Sequence, residues 1–172
     1  MSPQRPARDE YDAFYETYVS KVPEGNILDL LDQQTTRVLA LFESIPPELE
    51  NFRYAEGKWS TKEVIGHLVD TEWVFTTRAL RIARGDTTPL PGVDQDVLIA
   101  GADFDQRPLA SLIEEFRHLR GANSTLFRSL GPKAAERRGV ASDCPISVRG
   151  LLYIVVGHVE HHLGVLRERY LS

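Results

Sequence analysis

Apolar residues recur along this chain with the 3.6-residue period of a helix in four long stretches. The first carries Ile27, Leu30, Leu31, Gln34, Val38 and Leu41 on one side. It follows Asn26, a candidate N-cap, and ends before Pro46-Pro47. The second starts at Ser60, and Glu63 three residues later completes an S-x-x-E capping box. Its stripe is Val64, His67, Leu68, Thr71, Val74 and Phe75, and Gly85-Asp86 stops it. The third opens with Pro108 at its first position and carries Leu109, Leu112, Phe116, Leu119, Leu126 and Leu130, with Gly131-Pro132 as its stop. The fourth follows Ser147, another candidate N-cap. Its stripe is Leu151, Ile154, Val155, His158, His162 and Val165, with Arg167 and Glu168 turned away. This spacing predicts helices near 27–44, 60–84, 108–130 and 147–170.

No alternating strand pattern and no internal repeat is present. The stretch from 86 to 107 is non-periodic and carries Pro89, Pro91, Gly92 and Gly101. A connection of this length is a functional loop or an overhand crossover. Four amphipathic helices predict an all-α four-helix bundle. The long connection lets the third helix run parallel to the second, in up-down-down-up order. Residues 1–8 read as a loose tail. Asp9–Ser20 reads as a short helix with Tyr11, Phe14, Tyr15 and Tyr18, broken by the run from Val22 to Asn26. The chain thus divides into an N-terminal extension, 1–26, and a bundle domain, 27–172. The aromatic segment has no place in a four-helix core, so it is expected to pack across the bundle or to join a dimer contact. A loop through Cys144-Pro145 leads into the last helix.

Length and composition narrow the function classes. At 172 residues the chain can bury a sizeable core without crosslinks. The single cysteine, Cys144, excludes an internal disulfide and fits a cytoplasmic setting. The first residues hold no apolar signal region, and the longest apolar run, Leu151–Val156, is too short to cross a bilayer. Twenty basic against 25 acidic residues give a formal charge of −5, with no basic cluster to track phosphates. Nucleic acid is therefore not an expected partner.

The candidate chemistry lies in the histidines. His158 and His162 are one turn apart on an apolar stripe, close enough to share one metal ion. His67, on the stripe of the second helix, is the available third ligand. Three neutral imidazoles leave an open coordination position, the pattern of a catalytic site. His161 sits at the edge of the stripe as a competing ligand or a supporting neighbour, and His118 reads as a solvated surface residue. The run HVEHH is not the HExxH of metalloproteases, because Val159 occupies the general-base position. A di-iron carboxylate site needs two Glu-x-x-His pairs facing inward. Only Glu115/His118 has that spacing, and both lie off the stripe. Cys144, beside Pro145, has no evident partner for nucleophilic catalysis.

Two stretches, GKWSTKEVIGHLVDTE at 57–72 and GHVEHHLGVL at 157–166, resemble the DinB/YfiT family of metal-dependent enzymes, over about residues 27–170. The resemblance implies an up-down-down-up bundle with His67, His158 and His162 as metal ligands and His161 outside the triad. It implies zinc or nickel as the ion, a homodimer, and for some relatives a low-molecular-weight thiol as cosubstrate. The segment PGVDQD at 91–96 also looks like a family feature, without a role for Asp94 or Asp96. The leading expectation is an enzyme whose divalent ion activates a thiol or a water toward a small-molecule substrate, as an S-transferase or a hydrolase. The alternatives are a non-catalytic metal-binding stress-response or interaction module, and a structural bundle with hydrogen-bonded histidines. An open site that admits small molecules favours the enzyme; a site plugged by a side chain favours the module.

Overall fold

The computed structural model describes residues 3–171; Met1 and Ser2 of the predicted tail lie outside the described residues. Two 3-10 turns, Arg8–Glu10 and Ala13–Tyr15, lead into the one-turn helix α1 (Glu16–Val19). The helices α2 (Ile27–Glu43) and α3 (Thr61–Ala83) follow. The crossover contains α4 (Gln95–Gly101) and a 3-10 turn, Phe104–Gln106. Then come α5 (Leu109–Ser129), the single turn α6 (Pro132–Ala135), strands β1 (Arg138–Ala141) and β2 (Cys144–Ser147), and α7 (Val148–Val165). The end of α7, Leu166–Tyr170, widens into π-helical hydrogen bonding. The long helices start where their caps predict. The Asn26 carboxamide accepts from Leu28 and Asp29 N–H, Ser60 and Glu63 form the reciprocal box, and the Ser147 hydroxyl accepts from Gly150 N–H.

Side-chain bonds fix the directions. Lys62 Nζ donates to Arg107 O at 2.9 Å, and Arg120 Nε donates to Glu72 Oε2 at 2.6 Å, so α3 and α5 run parallel. Arg128 reaches Asp32 and Arg117 reaches Glu43, so α2 and α5 are antiparallel. Tyr170 OH donates to Trp59 O at 2.8 Å, so α3 and α7 are antiparallel. The order is up-down-down-up. Each long helix packs on two others, in the ring α2–α5–α3–α7, so α2 and α3 sit on one diagonal and α5 and α7 on the other.

The core has two apolar clusters with a polar belt between them. One cluster joins Ile27, Leu31, Ala79, Phe127 and Leu151 to the N-terminal segment and the hairpin. The other joins Val38, Phe42, Ile65, Leu68, Leu112, Phe116 and Leu163 to the end of the crossover. In the belt, the buried Arg120 guanidinium binds Glu72 and also donates to Gln34 Oε1 at 2.8 Å. Asn123 Nδ2 donates to Glu72 Oε1 at 2.9 Å, and Gln34 Nε2 donates to Val156 O at 2.8 Å and to Glu160 Oε1 at 2.7 Å. One connected set of bonds thereby touches all four long helices.

Several expectations need correction. The helix α7 is not buried on one stripe alone: residues from Gly150 to Val159 are buried on every side. The reason is the N-terminal segment, which lies across the outer face of α7. The contact is so close that a Cβ on Gly157 would stand 2.1 Å from Tyr18 O. The stretch read as a short helix at Asp9–Ser20 is two 3-10 turns and one α-turn. The described part of the tail is not loose. Arg5 NH1 donates to Val19 O at 2.9 Å and Arg5 NH2 to Val22 O at 2.6 Å, and the buried Glu10 carboxylate pairs with Arg149. The loop through Cys144 is a hairpin. Its two-residue turn, Ser142-Asp143, has positive φ at both positions, the geometry that matches the twist of paired strands. The hairpin also holds the start of the crossover, through Leu90 N–H to Val140 O and Ser142 N–H to Leu90 O.

The clasp between Glu10 and Arg149 has a measurable pH signature. Burial raises the Glu10 carboxyl, but donation from Arg149, Ala7 N–H and Ser147 outweighs it and brings the group down to about 2. A carboxylate lowered on folding adds stability that is complete above about 4.5 and is lost as pH falls toward about 2. Arg149→Ala is expected to lower unfolding stability at pH 7 by roughly 1.5–3 kcal/mol, the scale of hydrogen bonds to a charged group. The difference from wild type should shrink across that acidic window in urea titrations. Gly157→Ala is expected to lose about 1–3 kcal/mol by overpacking and to open residues 3–22 to limited proteolysis.

Candidate metal centre

The site forms where α3 and α7 cross at the polar belt. The Ser60 cap starts α3, and His67 follows two turns later on the inward face. Gly66 lets the Phe104 ring press directly on α3 beside His67. A Cβ there would stand 2.5 Å from that ring, so the end of the crossover is seated against the site. On α7, His158 and His162 stack one turn apart as their spacing predicts.

The three imidazoles converge. Their ring centroids are separated by 4.9 Å (His67–His158), 4.8 Å (His67–His162) and 4.6 Å (His158–His162). His67 Nε2 and His158 Nε2 are 3.1 Å apart, and one ligand nitrogen from each of the three lies within 4.8 Å of the others. Two nitrogens on a tetrahedral ion with bonds of about 2.0–2.1 Å stand roughly 3.3 Å apart, so the His67–His158 edge already has the span of such a pair. The donor set fits a borderline divalent ion: three nitrogens, no carboxylate and no thiolate.

Burial keeps these rings neutral, the form that can bind a metal. Desolvation, followed by the nearby His161, lowers His67 to about 4. Desolvation, then His67 and His161, lowers His162 to about 3. His158 is pushed well below its usual value by its complete burial, then by the neighbouring imidazoles. Thr71 helps to fix the His158 tautomer. Its hydroxyl donates to His67 O at 2.6 Å and faces His158 Nδ1 at 3.5 Å. With its proton committed, that oxygen is left to accept from Nδ1–H, which leaves the Nε2 lone pair turned to His67.

The remaining candidates separate cleanly. His161 is half-buried and packs edge-on against Tyr18 at 5.5 Å and His162 at 5.0 Å, outside the converging group. His118 is exposed on α5. Cys144 Sγ lies 3.4 Å from Asp12 Oδ2, which, with burial, raises the thiol and keeps it from acting as a thiolate. Asp94 caps α4, accepting from Asp96 N–H at 2.9 Å. Asp96 is exposed and lines a cavity of about 310 Å³ with Trp59, Lys58 and His162.

A second cavity, about 260 Å³, opens on the other side of the site and reaches His67 and His158. Phe14, Tyr15, Tyr18 and Phe75 wall it, and Val93, Gln95 and Leu98 of the crossover complete it. The crossover helix α4 contributes to both cavities and so roofs the three histidines. The sequence reading missed Arg78, among the described residues the one permanently charged side chain in this second cavity. Its signal was readable: eleven residues after His67, it falls within about 20° of His67 around the helix, an arginine on an apolar stripe.

A four-helix bundle holding three inward histidines on its second and last long helices defines the class. The profile of the DinB superfamily matches residues 30–166, and the chain belongs to that superfamily. Among solved structures it is similar to YfiT from Bacillus subtilis, described as "a probable metal-dependent hydrolase with an unusual four-helix bundle topology". The two superpose with a TM-score of 0.72 at 16% identity, over 96% of this chain and 91% of that one. That likeness is one of fold. No curated protein matches the sequence.

The lowered imidazoles predict an acid response of the metal-free protein. Between about 6.5 and 4 the unfolded chain binds protons that folded His67 and His162 refuse, so stability must fall as pH drops through that window. NMR of the ring signals should show both still neutral at pH 5. Protonation of either near 6.5 would contradict the buried geometry.

Proposed function

We propose that this chain is a metal-dependent enzyme in which His67, His158 and His162 hold one divalent ion, zinc or nickel, against a small-molecule substrate. The observation that carries the reading is the cavity of about 260 Å³ reaching His67 and His158. Among the described residues no side chain plugs it, as would favour a non-catalytic module, and its aromatic walls suit a small organic molecule. When bound, the ion would lower the pKa of a coordinated water or thiol and supply a nucleophile near neutral pH.

The chain's own residues do the rest. Three neutral imidazoles from two helices offer their lone pairs without first losing a proton. Thr71 orients His158. The roof of α4 and the aromatic walls exclude bulk water, which strengthens every charge interaction inside. Among the described residues no carboxylate lines the cavity that reaches His67 and His158, so proton transfer there rests on the nucleophile itself. The likeness to YfiT supports hydrolysis. The cavity of about 310 Å³ on the His162 side supports a two-substrate reaction such as thiol transfer, because each reactant then has its own approach. Turnover assays on activated esters, with and without a small thiol, separate the two.

His158→Ala is expected to abolish stoichiometric zinc or nickel binding in equilibrium dialysis, and His118→Ala to leave it intact. The bundle should keep its helical circular dichroism in both. Thr71→Val is expected to weaken metal affinity about 10–100-fold, as lost support of a ligand does. Wild-type protein that took up no zinc, nickel, iron or manganese at neutral pH would end the enzyme reading.

A further inference from the structure

Arg78 is the feature of the cavity that the metal reading leaves unused. The residue is 6% exposed, yet it lines the cavity. NH2 of the guanidinium donates to Pro91 O at 2.8 Å and to Ser142 Oγ at 3.2 Å, both uncharged acceptors. Among the described residues no carboxylate pairs with it, and no acidic residue lines the cavity. Burying a guanidinium without an opposite charge is costly, so a built site of this kind matches an anion that arrives with the ligand. The Tyr15 hydroxyl stands beside it. Burial raises that hydroxyl and the Arg78 charge opposes the rise. Phe14, Tyr18, Val74, Phe75 and Leu98 supply apolar wall between Arg78 and the histidines.

We propose that Arg78 anchors a carboxylate of the organic substrate, whose apolar middle lies along the aromatic wall and whose reacting group faces His67 and His158. This rests on the reading of the cavity as the substrate site. The guanidinium fork matches a carboxylate in two parallel hydrogen bonds, which fixes orientation as well as charge. Thr71, beside His158, and Arg78 are seven residues apart on one helix, about 10 Å along its axis. A carboxylate separated from the reacting carbon by a ring or a short chain spans that distance. The cavity, about 260 Å³, limits the class to metabolite-sized molecules.

The test uses the zinc-loaded full chain and two probes of one shape, 4-phenylbutyrate and its neutral amide, titrated by calorimetry. The acid is expected to bind about 10–100-fold tighter than the amide, the weight of a charge-assisted hydrogen bond. Arg78→Gln should erase that preference while keeping the amide affinity, which shows the cavity intact. Arg78→Lys, which keeps the charge but not the fork, should retain only part of it. Equal binding of acid and amide by wild type would overturn the proposal, and so would a preference that survives Arg78→Gln. A preference that survives Arg78→Gln and vanishes in His158→Ala would place the anion on the metal and overturn it too. Should Arg78→Gln not fold, an undiminished preference in Arg78→Lys overturns the proposal. The enzyme reading fails separately: a chain that takes up no metal but keeps an Arg78-dependent acid preference would lose the enzyme and keep the carboxylate site.

Discussion

Everything at the centre of this protein hangs on the polar belt that divides its core. A buried Glu72–Arg120 pair is a weak source of net stability, because desolvating both charges offsets most of their attraction. Separating the partners is another matter: a lone buried charge costs about 3–5 kcal/mol. Any sliding of α3 against α5 that parts them is therefore disfavoured. Gln34 extends the same constraint to α2 and, through Val156 O and Glu160, to α7. The belt acts on register. Its anchor points on α7, at 156 and 160, flank His158, and its anchor on α3, Glu72, follows Thr71. The bonds that set the helices also set the heights of the three imidazoles and of Thr71.

Burial then does the chemical tuning. A helix exposed on one face would let its histidines titrate near 6.5. Here the N-terminal segment closes the outer face of α7, with Tyr18 held 5.0 Å from the His158 ring. The imidazoles are starved of water and lie beside one another, so protonation is disfavoured at each. A cluster that resists protonation is a poor base and a good ligand set. The same burial that would weaken a histidine acting in general acid–base catalysis suits three that receive a cation.

Much of this was legible in the sequence, for identifiable reasons. The four long helices announced themselves by period and by caps at Asn26, Ser60 and Ser147, because those signals are local. The triad was legible because i,i+4 spacing on an apolar stripe leaves two rings few places to point. The hairpin at 138–147 was hidden, since its strands are four residues each and its turn is Ser142-Asp143 rather than a glycine pair. The tail was misread because Arg5 is held by backbone carbonyls, which carry no sequence signature. The belt escaped notice because Glu72, Arg120 and Asn123 look like surface residues until their partners, 34 to 160 in the chain, are brought together. Arg78 was overlooked although its position on the stripe was open to view.

The family match divides the lining of the cavity between two parts of the chain. Residues 30–166 contain the three histidines, Thr71, Arg78 and the crossover that roofs them. Phe14, Tyr15 and Tyr18, the aromatic wall between the histidines and the guanidinium, lie before that stretch. The extension is seated on α7 by contacts that depend on Gly157 and on the Glu10–Arg149 clasp, and Tyr18 also packs edge-on against His158 at 5.0 Å. Changes in the extension can therefore reshape the cavity while the belt, whose bonds all join the four long helices, stays in place. The physical division is between a histidine-bearing half, fixed by buried bonds among four helices, and an aromatic wall laid on from outside. That division lets the extension shape the wall of the cavity while the bundle holds the three imidazoles together.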